Sequence, residues 1–448
     1  MDIKLSKGAD IKIKGIADRV YANIPQSDFC ALKPTDFHLL TPKLQVKVGD
    51  RVDAGDVVFY DKNCDAIKFT SPVSGVVHDI VRGEKRKILE IIISADQEIK
   101  YKNFEKRDLA SLDRQSIIDD LLVSGLWPLI RQRPFATIAN PQDMPKSIFI
   151  SGFDSSPLAP DNDFVFHGDT DLFQLGLDIV TRLTDGTTHL NLDGNSNAAK
   201  VFNNAKGVQI NHIYGPHPAG NVGVQIHHID PINKGDVVWY LAPQDIVSIA
   251  RFFRDAKYDR SRIVVLSGSM VKKPRYCRVM QGMSISNMIQ DNLIEGDKRF
   301  ISGNVLTGTR IQKDGYLGFY DFQLSIIPEG NYSEFFGWLL PGFSKYSLSR
   351  TFFSWLSSTK EYDLDSNTHG EERAYVVTGQ YESYMPIDVF PVQLIKAILI
   401  EDIELMEHLG IYEVDSEDFA LCEFACTSKI PVQSIIRRGL DLIKKECS

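Results

Sequence analysis

The chain has 448 residues, 43% of them hydrophobic and 24% charged, and its 50 basic against 59 acidic side chains leave a formal net charge of −9. At about 100–200 residues per domain, that length holds two to four domains, each able to bury a core. The acidic balance excludes a nucleic-acid binder driven by phosphate neutralisation, because the short basic pieces at 82–87 and 272–278 are diluted and form no stripe.

Residues 1–14 alternate Lys and Asp with Ile and Leu and carry neither an apolar stretch nor a small-residue cleavage site of the secretory kind. No later run approaches the roughly 18 consecutive apolar residues of a membrane span. A chain that stays on the cytosolic side is therefore expected. From 11 to 93 short apolar alternations are punctuated by Gly49-Asp50, Gly55-Asp56 and Ser71-Pro72-Val73-Ser74-Gly75, which reads as half-buried strands joined by tight turns. This pattern looks like the biotinyl/lipoyl carrier sandwich. In such carriers a Lys at a hairpin tip is acylated; the nearest counterpart is the turn around Cys64, flanked by Lys62 and Lys68, neither of which sits clearly at the tip. A structural sandwich without a prosthetic group is the expectation.

After Lys102 longer helical patterns alternate with apolar runs. Residues 116–126 read as a helix, 147–151 as a strand by their Ile-Phe-Ile content, 169–184 as a helix with Leu172, Leu175, Ile179 and Leu183 on one side, 189–192 as a strand and 197–204 as a helix. That alternation argues for an α/β domain. Strand signals return over 261–328, clearest at 263–266 and 323–327. The stretch 391–445 is helical, with Ile395, Leu399, Ile403 and Met406 on one face and a last amphipathic helix around Ile435, Ile436, Leu440 and Ile443. Cysteines 30, 64, 277, 422, 426 and 447 are scattered, which fits reduced thiols and encodes no zinc finger.

Three stretches carry a family resemblance. They are Tyr214-Gly215-Pro216-His217-Pro218-Ala219-Gly220-Asn221 running into Ile226-His227-His228-Ile229-Asp230-Pro231 and Val238-Trp239-Tyr240; Gly315-Tyr316-Leu317-Gly318 followed by Ile326-Ile327-Pro328-Glu329-Gly330 and Phe335-Phe336-Gly337-Trp338-Leu339; and Phe419-Ala420-Leu421-Cys422-Glu423-Phe424-Ala425-Cys426-Thr427-Ser428-Lys429-Ile430. With the carrier-like N-terminal region, their order and spacing resemble the A subunits of bacterial Na⁺-translocating NADH:quinone reductases. That family is similar in turn to the flavin subunit of respiratory complex I and to the C subunit of the Rnf complex.

The resemblance implies an α/β multidomain fold. Residues 1–100 hold a biotinyl/lipoyl-like sandwich and 101–255 a Rossmann-like α/β domain resembling an FMN-binding domain. A small β-grasp-like domain of the SLBB type covers 256–330, an aromatic-rich connection 331–390, and a helical domain resembling a cluster-binding one 391–448. The complex I relative holds FMN with a Gly-rich loop; here the corresponding stretch keeps only Gly125, with Trp127 and Pro128 where backbone must come close. Of the acidic residues expected after the next strand, only Asp154 remains. The flavin and NADH sites read as lost, and the chain is expected to bind no cofactor of its own. Cys422 and Cys426, with Cys447 the one other late thiol, are too few for the four thiolates of an iron cluster. FMN, FAD, riboflavin, iron centres and transmembrane helices belong, on this resemblance, to partner subunits of the same complex.

The residues themselves leave less. Histidines 212, 217, 227 and 228 cluster in sequence, but His227 and His228 would point to opposite faces of a strand and no carboxylate pair sits at ligand spacing, so no metal site is expected. Ser267-Gly268-Ser269 lacks the nucleophile-elbow pattern, and no catalytic residue is assigned. Residues 332–355 hold nine aromatics; either they fill the core between domains or they form a docking face for a membrane-embedded partner. Quinone contact is the chemical role left open, with Phe37 and His38, in the loop between Pro34 and Pro42, as the residues that could wall and hydrogen-bond it. The expected function is a peripheral subunit on the cytoplasmic side of the bacterial inner membrane, serving a Na⁺-pumping reductase as scaffold and in quinone access. The alternatives are a ligand-free adaptor, an independent soluble flavoenzyme and a carrier modified on Lys62.

Overall fold

The computed structural model describes residues 1–196, 199–337, 339–357 and 359–447. Trp338 and the side chain of Cys447 lie outside the described residues. The largest sheet is built from β1 (Asp2–Lys4), β2 (Arg131–Arg133), β3 (Thr137–Ile138), β4 (Ser147–Ser151), β5 (Thr187–Asp193), β6 (Gln209–Tyr214) and β7 (Val238–Leu241). Its order is β1-β6-β5-β4-β7-β2-β3. The strands from β1 to β7 in that order run parallel, and β2 and β3 close the edge antiparallel. Ile148, Phe149 and Ile150 are buried on both faces, the signature of a parallel sheet covered by helices on either side. Those helices include α1 (Arg114–Ser124), α2 (Thr170–Val180), α3 (Val222–Ile229) and α4 (Pro243–Asp255). Asp113 caps α1 by accepting from the Ser116 amide, and Pro243 starts α4 where no amide donor is needed.

The N-terminal sandwich stacks a sheet of Phe29–Leu32, Ile88–Ala95, Gly75–Arg82 and Arg51–Val52 on one of Pro42–Leu44, Val57–Asp61 and Cys64–Thr70. The Gly-Asp turns read from the sequence close through Asp50 and Asp56, whose carboxylates accept from the amides of Lys47 and Asp53. Asp61 pairs with Cys64, so Lys62 and Asn63 are the two turn residues of that hairpin. Lys62 therefore does sit at the tip, contrary to the sequence reading; the turn starts earlier because Asp61 accepts from the Asn63 amide.

A six-stranded sheet runs Thr309–Ile311, Lys298–Ser302, Gln323–Pro328, Ser261–Ser267, Arg275–Met280 and Tyr21–Ala22. The C-terminal stretch folds into α5 (Pro391–Leu399), α6 (Ile403–His408), α7 (Ala420–Ala425) and α8 (Val432–Cys447) around buried Leu394, Ile398, Met406, Ile436 and Leu440. A single apolar core joins the sandwich (Phe59, Phe69) to the α/β sheet (Trp127, Ile148, Trp239). The first strand, β1, pairs with β6 of the α/β sheet, and Tyr21–Ala22 pairs with the six-stranded sheet, so the chain start belongs to neither layer of the sandwich. Among the described residues no helix is long and apolar enough to cross a membrane.

Candidate functional site

Strands β4, β5 and β6 step outward in one direction and β7 returns to the other side of β4. In open parallel sheets the crevice at such a reversal, outside the carboxyl ends of the strands, is where ligands are held. A cavity of about 230 Å³ occupies this place. Its floor is the end of β4 with Ser151 and Asp154 and the end of β7 with Tyr240; the first residues of α3 and α4 form its sides. Tyr320 and Gln323, from the six-stranded sheet and the loop before it, and Glu417 from the C-terminal stretch complete the wall.

Arg131 enters from β2, directly across the ladder from Tyr240. Its guanidinium lies 4.5 Å from the Tyr240 ring centre and 4.3 Å from that of Tyr320, a cation held between two aromatic faces. The Tyr320 hydroxyl donates to the Pro128 carbonyl at 2.7 Å, which fixes that ring. Two residues on, Arg133 is 1% exposed and meets an acidic turn of the C-terminal stretch. It lies 2.6 Å from Glu417, 3.3 Å from Asp418 and 3.7 Å from Asp415. Burial pushes the Asp418 carboxyl up to about 7, Arg133 notwithstanding, while Asp415 is held low by Arg133 and Arg437 against its own burial. Gly223 in α3 allows this approach, because a Cβ there would lie 2.5 Å from Asp418 Oδ2.

Of the three residues singled out for the degraded flavin loop, only Asp154 lines the cavity. Gly125 ends α1 at φ +78°, and a Cβ on it would lie 2.4 Å from the Thr70 hydroxyl of the sandwich. Trp127 is fully buried, donates to the Ala139 carbonyl at 2.8 Å and meets Trp239 edge-on. Phe37 is buried against Phe69, Phe319 and Tyr320, with ring centres 4.5, 4.8 and 5.7 Å away, so it stands one ring behind the cavity wall. The space beside it is about 10 Å³. Asp36 next to it accepts from the Phe319 amide, and burial pushes its carboxyl up to about 6. His38 is exposed.

His227 and His228 lie in α3 rather than in a strand, so the opposite-face argument does not apply. The run Val222-Gly223-Val224-Gln225-Ile226 is rich in β-formers, but Asn221 and Pro218 start a helix and the buried face selects it. Their rings are in contact, centres 5.0 Å apart; His227 is paired with Glu413 at 2.6 Å and His228 with its own helix at Val224. Among the described residues no group of three or more His, Cys, Asp or Glu side chains is placed to hold a metal ion. Cys422 and Cys426 are both buried, contacting the backbone carbonyl and the hydroxyl of Tyr381 respectively. Ser155 and buried His217 are 3.0 Å apart, but among the described residues His217 Nε2 has no partner, and Ser155 Oγ also accepts from the Gly220 amide. This is a bracing pair without the third group that would orient a base.

Arg131 and Tyr240, central to the cavity, were not singled out by the sequence. The available signal was two arginines flanking Gln132 between apolar segments, a pattern that a surface strand shares.

Three domain families match along the chain: an NqrA N-terminal barrel-sandwich hybrid domain over residues 3–96, an NqrA second alpha/beta domain over 112–258 and an NQRA C-terminal domain over 263–313. The A subunit of the Na(+)-translocating NADH-quinone reductase of Rhodopirellula baltica is 37% identical over 449 residues, covering 99% of this chain and 98% of that one. Its counterpart from Yersinia pestis is 36% identical over 447 residues, covering 99% and 100%. Among solved structures, an NAD+-reducing [NiFe]-hydrogenase in the air-oxidized state aligns with a TM-score of 0.40 and 11% identity, over 77% of this chain and 67% of that one. Matched from end to end at this identity, the chain belongs to the family of Na(+)-translocating NADH-quinone reductase A subunits.

Proposed function

We propose that the chain is the cytosol-facing scaffold of the reductase, docked through residues 332–356 onto a membrane-embedded partner subunit. The observation that carries this reading is the exposure of that segment. Phe335 is 87% exposed, and Phe336, Leu339, Leu340, Phe343, Phe353 and Leu356 are each more than half exposed. Isolated exposed apolar residues are ordinary, but a contiguous patch of this kind marks an interaction surface. Between 335 and 360 the sequence carries Lys345, Arg350 and Lys360 and no acid, in a chain of net charge −9. Aromatics mixed with cations are the composition of surfaces at the membrane–water boundary. In this reading hydride acceptance, electron carriage and ion passage lie in the flavin- and iron-bearing partners, since a Na⁺ path needs desolvating ligands inside the membrane.

Quinone access is the finer part of the proposal. Phe37 backs Tyr320 at the cavity wall, and His38 offers an exposed imidazole beside it. Two measurements test the reading. The pair Phe335→Asp and Phe353→Asp is expected to release the subunit from membranes carrying the complex while leaving its unfolding midpoint unchanged; retention on those membranes refutes the docking. A soluble quinone analogue is expected to bind more weakly to a Phe37→Ala, His38→Ala variant, and equal affinities remove that loop from the quinone path.

A further inference from the structure

We propose that the cavity at the strand reversal binds the oxyanion of a small organic phosphate or carboxylate, through the edge of the Arg131 guanidinium, the Tyr240 hydroxyl and the first-turn amides of α3. This goes beyond docking and quinone access and does not depend on either.

Arg131 stands out among the polar side chains of the cavity. The rings of Tyr240 and Tyr320 cover its two faces, but a ring face takes no N–H, and the donors lie on the edge of the plane. None of those donors has an acceptor among the described residues, and its Nε is buried without a partner. The other cation close by, Arg133, is committed to Asp415, Glu417 and Asp418. The acids of the wall are engaged as well. Glu417 pairs with Arg133, Asp321 accepts from the Ser302 hydroxyl at 2.6 Å, and Asp154 accepts from the Ser156 amide at 2.8 Å. Arg131 is thus a half-buried guanidinium whose edge donors have no acceptor, an arrangement that an anion in the cavity would complete.

Two further observations point the same way. Tyr240 lines the cavity at only 4% exposure, and its hydroxyl has no hydrogen-bond partner among the described residues. The start of α3 faces the cavity and has no side-chain cap, since Asn221 spends its amide on the Glu417 carbonyl. Its first-turn amides, at the positive end of the helix, form an oxyanion cradle with the guanidinium edge and the Tyr240 hydroxyl. Asp154 leaves one carboxylate oxygen for a ligand hydroxyl, which suits a phosphate ester of a sugar better than a bare ion.

The test uses the full chain and three probes, AMP, inorganic phosphate and citrate, in calorimetric titration, with adenosine as a control lacking the anion. Wild type is expected to bind at least one anionic probe, more weakly as salt rises, and not adenosine. Arg131→Gln is expected to weaken that binding about tenfold or more, and Arg131→Lys to recover part of it. Tyr240→Phe keeps both stacked rings and is expected to weaken binding in a folded chain should Arg131→Gln fail to fold. Preference for phosphate and AMP names a phosphate ligand, and preference for citrate a carboxylate; either supports the site. Failure of all three probes to bind wild type at millimolar concentration overturns it, as does affinity unchanged in Tyr240→Phe and in whichever Arg131 variant folds.

Discussion

Arg133 illustrates how one buried side chain ties two parts of the chain together. Three carboxylates converge on it from the turn before α7, and the guanidinium is inaccessible to water. Removing the cation strands charges that have already been desolvated, so Arg133→Ala is expected to cost about 3–5 kcal/mol of unfolding free energy, measured by urea titration. Asp418 makes the pH dependence legible. Burial raises its folded pKa to about 7 from 3.8. Its contribution to stability is therefore complete below the unfolded value and is lost as pH rises through 7. Asp418→Asn keeps the acceptor used by the Asp415 amide and has no charge to bury. Relative to wild type it is expected to gain stability as pH rises from about 4 to about 7 and to hold that gain above it, and a constant difference across that range would show that the carboxyl stays ionised. None of this was legible in the sequence, because Arg133 and Asp418 are 285 positions apart and nothing local marks either as buried. Asp154, which the resemblance singled out as the last acid of a lost flavin site, lines the cavity just past the end of β4.

At the scale of elements, periodicity worked where a helix or strand was long and covered on one side. The strand β4 and the helices α1, α2 and α8 fall where the apolar spacing places them. It failed at α3, eight residues rich in β-branched side chains, where the neighbouring acidic turn and the sheet below override local propensity. The end of α1 couples an element to its neighbour. Gly125 takes the left-handed conformation that closes the helix, and Thr70 of the sandwich occupies the space of its missing side chain. Gly125→Ala is expected to destabilise by about 1–2 kcal/mol from conformation alone, with a further cost from the contact with Thr70. Thr70→Ala removes that contact, so the double variant is expected to lose less stability than the sum of the single changes. Strict additivity in denaturant titrations would mean that the sandwich does not press on this turn. The sequence flagged Gly125 as the one glycine left in a degraded flavin loop; its use in packing needs Thr70, which only the fold brings near.

Across the whole molecule, the first 22 residues act as a thread through bodies that the sequence treats as successive domains. Residues 2–4 extend the α/β sheet, the Gly8 amide reaches Ser383, and Ile13 bridges to Tyr362 of the segment following the exposed aromatics. Tyr21 and Ala22 then pair with Arg275–Met280 before the chain enters the sandwich. Order along a sequence cannot disclose such a path, because each contact is long-range and each stretch is too short to show a period. Ile13 is the tightest point of the thread, 4% exposed and packed with Ile11, Leu158 and Leu421. Because the segment after the exposed aromatics is tied to the thread at Tyr362, loosening the thread should free that segment first. Ile13→Asp buries an unpaired charge at a cost of several kcal/mol. Hydrogen exchange is expected to rise first over residues 8–16 and 359–366, while β4, β5 and β7 keep their protection. A rise spread evenly over the chain would instead make the thread part of one cooperative core, and no rise would mean that the aromatic segment is anchored elsewhere.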